Sequence, residues 1–190
     1  MLKDITIRHD LRVGDLGRII ALHGEVYDAL PGYGLAFEAY VARTIAEYVI
    51  DAGGTGRIWL AERGNTLIGC AAMILRDEAR GQLRWVLVDQ SARGMGLGKD
   101  LVNRALDYAR DNGCSRVFLE TTDGLPESQS LYDTLGFRVA SPTPMPIRAI
   151  NSCAKFFASP QAAVIRHQMV MPVAIIARRL RRSASRPMGI

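Results

Sequence analysis

Residues 85–111 hold the most constraining pattern in the chain. An apolar run, Trp85 to Val88, gives way to Gln90-Ser91-Ala92-Arg93-Gly94-Met95-Gly96-Leu97-Gly98-Lys99, after which Leu101, Val102, Ala105, Leu106 and Ala109 recur at helical spacing. That order predicts a strand, a glycine loop and a helix. Glycines at alternate positions remove the Cβ atoms that would hold a ligand off the backbone, and a helix starting there leaves its first amide N–H groups without intrahelical partners. The amides from Arg93 through Gly94, Met95, Gly96, Leu97, Gly98 and Lys99 are therefore expected to bind an anion. Two other glycine loops do not fit. A P-loop needs glycine where Arg93 stands and Ser or Thr where Asp100 stands, and the dinucleotide loop G-x-G-x-x-G needs its third glycine where Lys99 stands.

Composition is that of one domain able to bury a full core: 190 residues, 48% of them hydrophobic and 23% charged. We expect the domain to span residues 4–171, with a basic tail at 172–190. The tail holds Arg178, Arg179, Arg181, Arg182 and Arg186 and no acid, which accounts for the net charge of +5 and leaves the domain neutral. It reads either as a short amphipathic helix for a membrane surface or partner, or as a flexible appendage. No nucleic-acid-binding motif is recognisable, so no nucleic-acid partner is expected. No apolar run approaches the roughly 20 residues of a membrane span, and Met1-Leu2-Lys3-Asp4 lacks a signal-peptide core, so a cytoplasmic location is expected. Cys70, Cys114 and Cys153 are odd in number and widely spaced, which predicts reduced thiols and no metal site.

Along the chain, Ile5–Arg8 alternates as a strand, and Asp15 is placed to cap a helix carrying Leu16, Ile19, Ile20, His23 and Tyr27. The cluster Pro31-Gly32-Tyr33-Gly34 breaks the chain before a second helix marked by Phe37, Val41, Ile45 and Tyr48. Strands follow at Arg57–Glu62 and Thr66–Ile74, joined through Gly64-Asn65, and at Leu83–Val88. Beyond the loop helix come a strand at Arg116–Thr121, a helix at Ser128–Leu135, a strand at Phe137–Ala140, an irregular excursion through Pro142, Pro144 and Pro146, and a last strand at Val164–Val170.

Arg93-Gly94-Met95-Gly96-Leu97-Gly98 resembles the acyl-CoA loop, Q/R-x-x-G-x-G/A, of the GCN5-related N-acetyltransferases (GNATs). Ser130-Leu131-Tyr132-Asp133-Thr134-Leu135-Gly136-Phe137 resembles that family's late helix-and-strand motif, in the right order downstream. The segment from His23 through Tyr27, Tyr33 and Phe37 resembles the branch whose domains are often fused behind MarR-type regulators. The resemblance implies an α/β (α+β) fold: a mixed, mostly antiparallel twisted sheet of about seven strands, split at a V-shaped acyl-CoA cleft, with helices on both faces. It also implies acetyl-CoA as co-substrate, no metal, and transfer of an acetyl group to a primary amine on a small molecule or protein.

By the same resemblance, amides near Leu87 and Val88 bind the pantetheine arm and polarise the thioester carbonyl, while the loop amides bind the pyrophosphate. Backbone atoms do most of this, so Gly94, Gly96 and Gly98 should be hard to replace, whereas Met95 and Leu97 should need no special side chain. Tyr132 occupies the position of the acid that meets the departing thiolate, and Glu120 that of a carboxylate which activates the amine through water, with a pKa raised in a half-buried cleft. Leu125 departs from the family pattern, standing where an asparagine is usual. Tyr33 and Glu38 are expected to contact the amine, with Tyr27 beside them; His23 is expected to line the core. A homodimer through the last strand or the excursion is a further expectation. Two other functions fit parts of the pattern: a non-catalytic acyl-CoA-binding module, and an interaction protein using its arginine tail.

Overall fold

A computed structural model describes residues 4–28, 30, 33–50, 55–122, 125–140 and 166–172. Its elements are β1 (Ile5–Arg8), α1 (Asp15–Asp28), α2 (Gly34–Ile50), β2 (Gly56–Arg63), β3 (Thr66–Arg76), β4 (Arg80–Val88), α3 (Leu97–Asp111), β5 (Arg116–Thr122), α4 (Pro126–Leu135), β6 (Arg138–Val139) and β7 (Arg166–Pro172). They form one seven-stranded sheet in the order β1-β2-β3-β4-β5-β7-β6. Every neighbouring pair is antiparallel except β4 and β5, the pair bridged by α3, so the mixed sheet expected from sequence forms. The proline-rich excursion, Cys153 and the arginine tail lie outside the described residues.

Period-two alternation sorts the central strands between two cores. Trp59 and Ala61 of β2 pack on the α3 side with Leu101, Val102 and Ala105. Ile58 and Leu60 point the other way, toward Ile19 of α1 and Val41 and Ile45 of α2. Each face buries large aliphatic side chains fully, at about 1.5–3 kcal/mol per side chain removed from water.

Strand β4 breaks that alternation. Cys70 pairs with Leu87 but Ala72 pairs with Arg84, so β4 carries an extra residue opposite β3. In consequence Leu83 faces α3, while Trp85 and Leu87, at the same sequence parity, face α1 and α2. Trp85 adopts φ 47°, a left-handed conformation that costs a bulky residue about 1–3 kcal/mol. Its neighbours hold it there. The indole Nε1 donates to Thr44 Oγ1 at 3.3 Å, and the backbone carbonyl accepts from Cys70 Sγ at 3.1 Å.

Asp15 does not act as the helix cap expected of it. It is the first residue of α1, and its buried carboxylate pairs with Arg8 Nη2 at 2.6 Å and accepts the Arg12 amide at 2.7 Å. Arg8 also pairs with Glu62 Oε2 at 2.9 Å, and Arg18 of α1 reaches Glu62 Oε1 at 2.7 Å. This network anchors α1 to β1 and β2.

Candidate active site

Parallel pairing of β4 with β5 runs only from Arg80–Arg116 to Gln82–Phe118. Beyond Gln82 the strands separate, and among the described residues no strand pairs with the remaining edge of β4. Peptide groups alternate direction along a strand. The Asp89 amide bonds the Ile68 carbonyl of β3 at 2.8 Å, so the Val88 amide points to the opposite, open edge. Leu87 is displaced from its expected role by the same alternation: its amide lies on the β3 side, and its side chain is buried against α1 and α2.

The glycine loop lies at the end of this edge. Gly94 and Gly96 have φ 74° and 83°, and a Cβ at either would have no heavy atom within 4 Å. Both therefore owe their identity to the left-handed backbone and leave open space where a ligand would lie. Gly96 caps α3 with no side-chain hydrogen bond, and its carbonyl accepts the first intrahelical bond, from Asp100, at 3.0 Å. The amides of Leu97, Gly98 and Lys99 precede that bond and face out of the helix start. An elongated anion with a polar arm fits these groups: phosphates at the loop, the arm along Val88.

Two loop expectations need correction. Gly98 sits in the first turn of α3, where a Cβ would make ordinary contacts of 3.5 Å with Leu131 and Val88, so its backbone does not demand glycine. Leu97 does need its side chain, which is buried beneath the sheet and within reach of Gly69. Met95, Arg93 and Lys99 are exposed.

Between the diverging strands a cleft opens to solvent. Helix α1 contributes His23 and Tyr27, α2 contributes Phe37 and Tyr40, and Tyr33 lies just before α2; β4 contributes Gln82 to Val86; β5 contributes Leu119, Glu120 and Thr121; α4 contributes Ser128 and Tyr132, with Leu125 at its N-cap. Tyr132, Glu120, Tyr27 and Tyr33 thus come together. Glu38 does not join them. It lies one position past Phe37 on α2 and turns toward α1, its carboxylate filling the space that a Cβ on Gly24 would need.

Tyr132 is 7% exposed and packs edge-on to Phe137 at 5.7 Å. Its hydroxyl has no hydrogen-bond partner among the described residues, although the ring lines the cleft. Burial, with Tyr27 nearby, raises its pKa well above the ordinary 10.0, so the phenol keeps its proton at any working pH. The Tyr27 phenol is pushed up to about 12, chiefly by burial. Tyr27, Tyr33 and Phe37 form one aromatic wall with ring centroids 4.4–5.0 Å apart. Glu120 is exposed to the cleft's solvent, not half-buried as expected.

His23, expected as a core residue, is buried yet also lines the cleft. Its Nδ1 lies 2.8 Å from the Ile19 carbonyl, which can only accept, so Nδ1 carries the proton and Nε2 is left as an acceptor. Burial lowers its pKa to about 4, so the ring is neutral at pH 7. Arg84, Tyr40 and Trp85 line the cleft as well; the bulge in β4 turns Trp85 toward it and the register of α2 places Tyr40, and neither has a local signature in the sequence. Among the described residues no group of His, Cys, Asp and Glu side chains could hold a metal, and no helix is long and apolar enough to cross a membrane.

A split mixed sheet with a glycine loop at the parting strand recurs among known proteins, and the matches give its family. The family model of the acetyltransferase (GNAT) family matches residues 25–137, and the chain belongs to that family. It is 38% identical to N-acetyltransferase 8F1 of Rattus norvegicus over 88 residues, covering 44% of this chain and 40% of that protein. It is 28% identical to the glucosamine 6-phosphate N-acetyltransferase of Trypanosoma brucei brucei over 134 residues, covering 67% of this chain and 86% of that one. The chain thus spans about two fifths of the rat relative's length. In fold it is similar to a GNAT-family acetyltransferase from Staphylococcus aureus (TM-score 0.67, 17% identity, 89% of this chain and 99% of that one). It is likewise similar to the ribosomal-protein-S18-alanine N-acetyltransferase of Escherichia coli (TM-score 0.61, 18% identity, 89% and 94%).

Proposed function

We propose that this chain moves an acetyl group from acetyl-CoA to a primary amine, by direct attack within a ternary complex. The observation that carries this reading is the parting of β4 from β5, which exposes the Val88 amide beside the α3 N-terminus and opens onto the free hydroxyl of Tyr132. Acetyl-CoA supplies an activated acyl carbon, at which a C–N bond forms while the C–S bond breaks. The chain's residues do the rest. Amides of residues 94–99 hold the phosphates, and the Val88 amide orients the arm and stabilises charge on the carbonyl oxygen.

Tyr132 directs its proton toward the departing sulfur. A phenol whose pKa lies above that of a thiol does not ionise ahead of it, so the hydroxyl acts first as a hydrogen-bond donor that stabilises the developing thiolate. Glu120 accepts, through water, the proton that the attacking amine must lose. The acceptor is a small-molecule amine or a protein amino group; the sequence around His23, Tyr27, Tyr33 and Phe37, residues that line the cleft, is what supports kinship with the domains fused to MarR-type regulators. The test is thiol release from acetyl-CoA across a panel of amines. Amine-dependent release that saturates in both substrates is expected; coenzyme A binding with slow hydrolysis and no amine dependence would instead mark a non-catalytic acyl-CoA module.

A further inference from the structure

We infer that Arg84 is the specificity residue of the acceptor site, and that the amine this chain acetylates carries an anionic group, a carboxylate or a phosphate, within reach of that guanidinium. The inference deepens the transferase reading above and rests on it. Arg84 lies on the bulged stretch of β4 and lines the cleft between the aromatic wall and β5. Among the described residues it is the cationic side chain lining the cleft.

Its position is built. The guanidinium Nη2 donates to the Tyr40 hydroxyl at 3.0 Å, and its central carbon lies 5.0 Å from the Trp85 ring centroid and 6.0 Å from that of Tyr40. The Trp85 beneath it is the residue held at positive φ, so the strain of the bulge goes into aiming this pair. Half-buried and oriented by stacking, Arg84 has little rotamer freedom left to lose on binding a ligand.

Its charge is uncompensated. Among the described residues no carboxylate lies within 4.0 Å of Arg84, whereas Arg8, Arg18, Arg43, Arg104 and Arg110 all have acidic partners. One of its five N–H groups serves Tyr40, which leaves an open fork suited to a planar or tetrahedral oxyanion. Arg76 reinforces the local positive potential. It is committed to Gln82 Oε1 at 2.7 and 3.0 Å, and its own charged form is disfavoured first by burial and then by Arg84. The carboxylate among the cleft-lining residues, Glu120, lies across on β5. An acceptor whose amine is deprotonated at Glu120 while its anion sits on Arg84 meets both charges with the right sign, and the wall of Tyr27, Tyr33 and Phe37 takes its apolar body.

The experiment compares amines that differ only in the anion. Thiol release from acetyl-CoA is measured for phenylalanine against phenylalaninamide, and for glucosamine 6-phosphate against glucosamine, in wild type, Arg84→Met and Arg84→Lys. The melting shift produced by coenzyme A reports that each variant is folded. Wild type is expected to prefer the anionic member of at least one pair by roughly tenfold or more in kcat/KM, chiefly through KM. Which pair discriminates identifies carboxylate or phosphate. Arg84→Met should bring the ratio to within about twofold; Arg84→Lys, which keeps the charge but not the fork, should fall between and serves as the test if the Met variant does not fold. A wild-type ratio near one for both pairs, or a preference that persists in Arg84→Met, overturns the inference.

If no amine releases thiol, calorimetry on the same pairs in the presence of coenzyme A separates the two claims. Anion-selective binding that depends on Arg84 then sinks the transferase reading and keeps the anion subsite. Binding without selectivity sinks both.

Discussion

At the loop end of β4 the groups we propose to meet the ligand are peptide N–H groups, those of Val88 and of residues 94–99, while the cleft upstream is lined by side chains: Arg84, Tyr40, Tyr27, Tyr132 and Glu120. The first region needs left-handed glycines and a helix start, and it tolerates change wherever the backbone does. The second is assembled from four elements, and moving any one of them alters it. Backbone recognition suits a ligand that never changes; side-chain recognition suits an acceptor that differs from one family member to the next. The sharpest tests of this contrast perturb one region and ask whether the other responds.

The largest effect is expected from the ionic anchor of α1, which carries part of the acceptor wall. Asp15→Asn leaves Arg8 half-buried with Glu62 as its remaining carboxylate and should cost about 3 kcal/mol in denaturant unfolding. The sign of its pH dependence follows from the network. Hydrogen bonds from Arg8 hold Asp15 below its ordinary 3.8 and Glu62 below its ordinary 4.5. This contribution is therefore fully present above those values and is lost as pH falls beneath them through the folded-state pKa values. Wild-type stability should stay level above about pH 5 and drop below pH 4. In Asp15→Asn the acid drop should be shallower. An unchanged acid limb in that variant would show that other carboxylates control acid unfolding.

Next in size is Tyr132→Phe. The ring and its packing on Phe137 stay and the proton we propose to meet the departing sulfur goes, so kcat should fall roughly 10- to 1000-fold with coenzyme A affinity altered less than about twofold. Because burial holds the phenol's pKa above 10, wild type should show no activity loss from Tyr132 ionisation below that pH. Steady-state kinetics from pH 6 to 10, with calorimetric titration of coenzyme A, checks both points. Wild-type turnover in the Phe variant would reduce the hydroxyl to a structural role.

Much of the backbone-built region was legible in the sequence because its rules are local. Glycine at 94 and 96 is what a left-handed loop requires, and Leu101 to Ala109 spell out the helix that follows. The strand at Arg57–Glu62 was likewise legible, and within it alternation sends Trp59 and Ile58 to opposite faces. The acceptor region escaped because its determinants are not local. Glu38 looked well placed beside a chain break, but a rotation of about 100° per helical residue turns it from the cleft to Gly24. Arg84 read as one polar residue in a strand, and only the extra residue that turns Trp85 to the same face, with Tyr40 of α2, builds its place in the cleft. Leu97 misled in the opposite sense, since a residue between two glycines looked free of packing and proved to be core.

The glycines permit a finer comparison within the loop. Gly96→Val forces a β-branched residue into φ 83° and places atoms in the open space above the loop; the coenzyme A melting shift should vanish, and affinity should drop by roughly tenfold or more. Gly98→Ala should bind within about twofold of wild type, because its added Cβ meets Leu131 and Val88 at ordinary distance. If Gly98→Ala loses binding as fully as Gly96→Val, the close approach of a ligand, and not left-handed backbone, sets the requirement for glycine along the whole loop.

The smallest effect is expected at Glu120. Its carboxylate is exposed at the cleft's edge, so its removal leaves water and solvent buffer able to take the amine's proton. Glu120→Gln should lower kcat/KM by roughly threefold to tenfold near pH 7 and by progressively less at higher pH, where more of the amine is already unprotonated. The same variant should leave the coenzyme A melting shift untouched, since Glu120 lies on β5 and away from the loop. Buffer concentration supplies the decisive control. If Glu120 is the acceptor of that proton, small amine-free bases in the buffer should partly restore the Gln variant and hardly affect wild type. A pH profile parallel to wild type, with no response to buffer, would remove Glu120 from proton transfer and leave it as a charge that attracts the amine; the neighbouring acceptor in the same cleft, the neutral His23 Nε2, would then be the residue to replace.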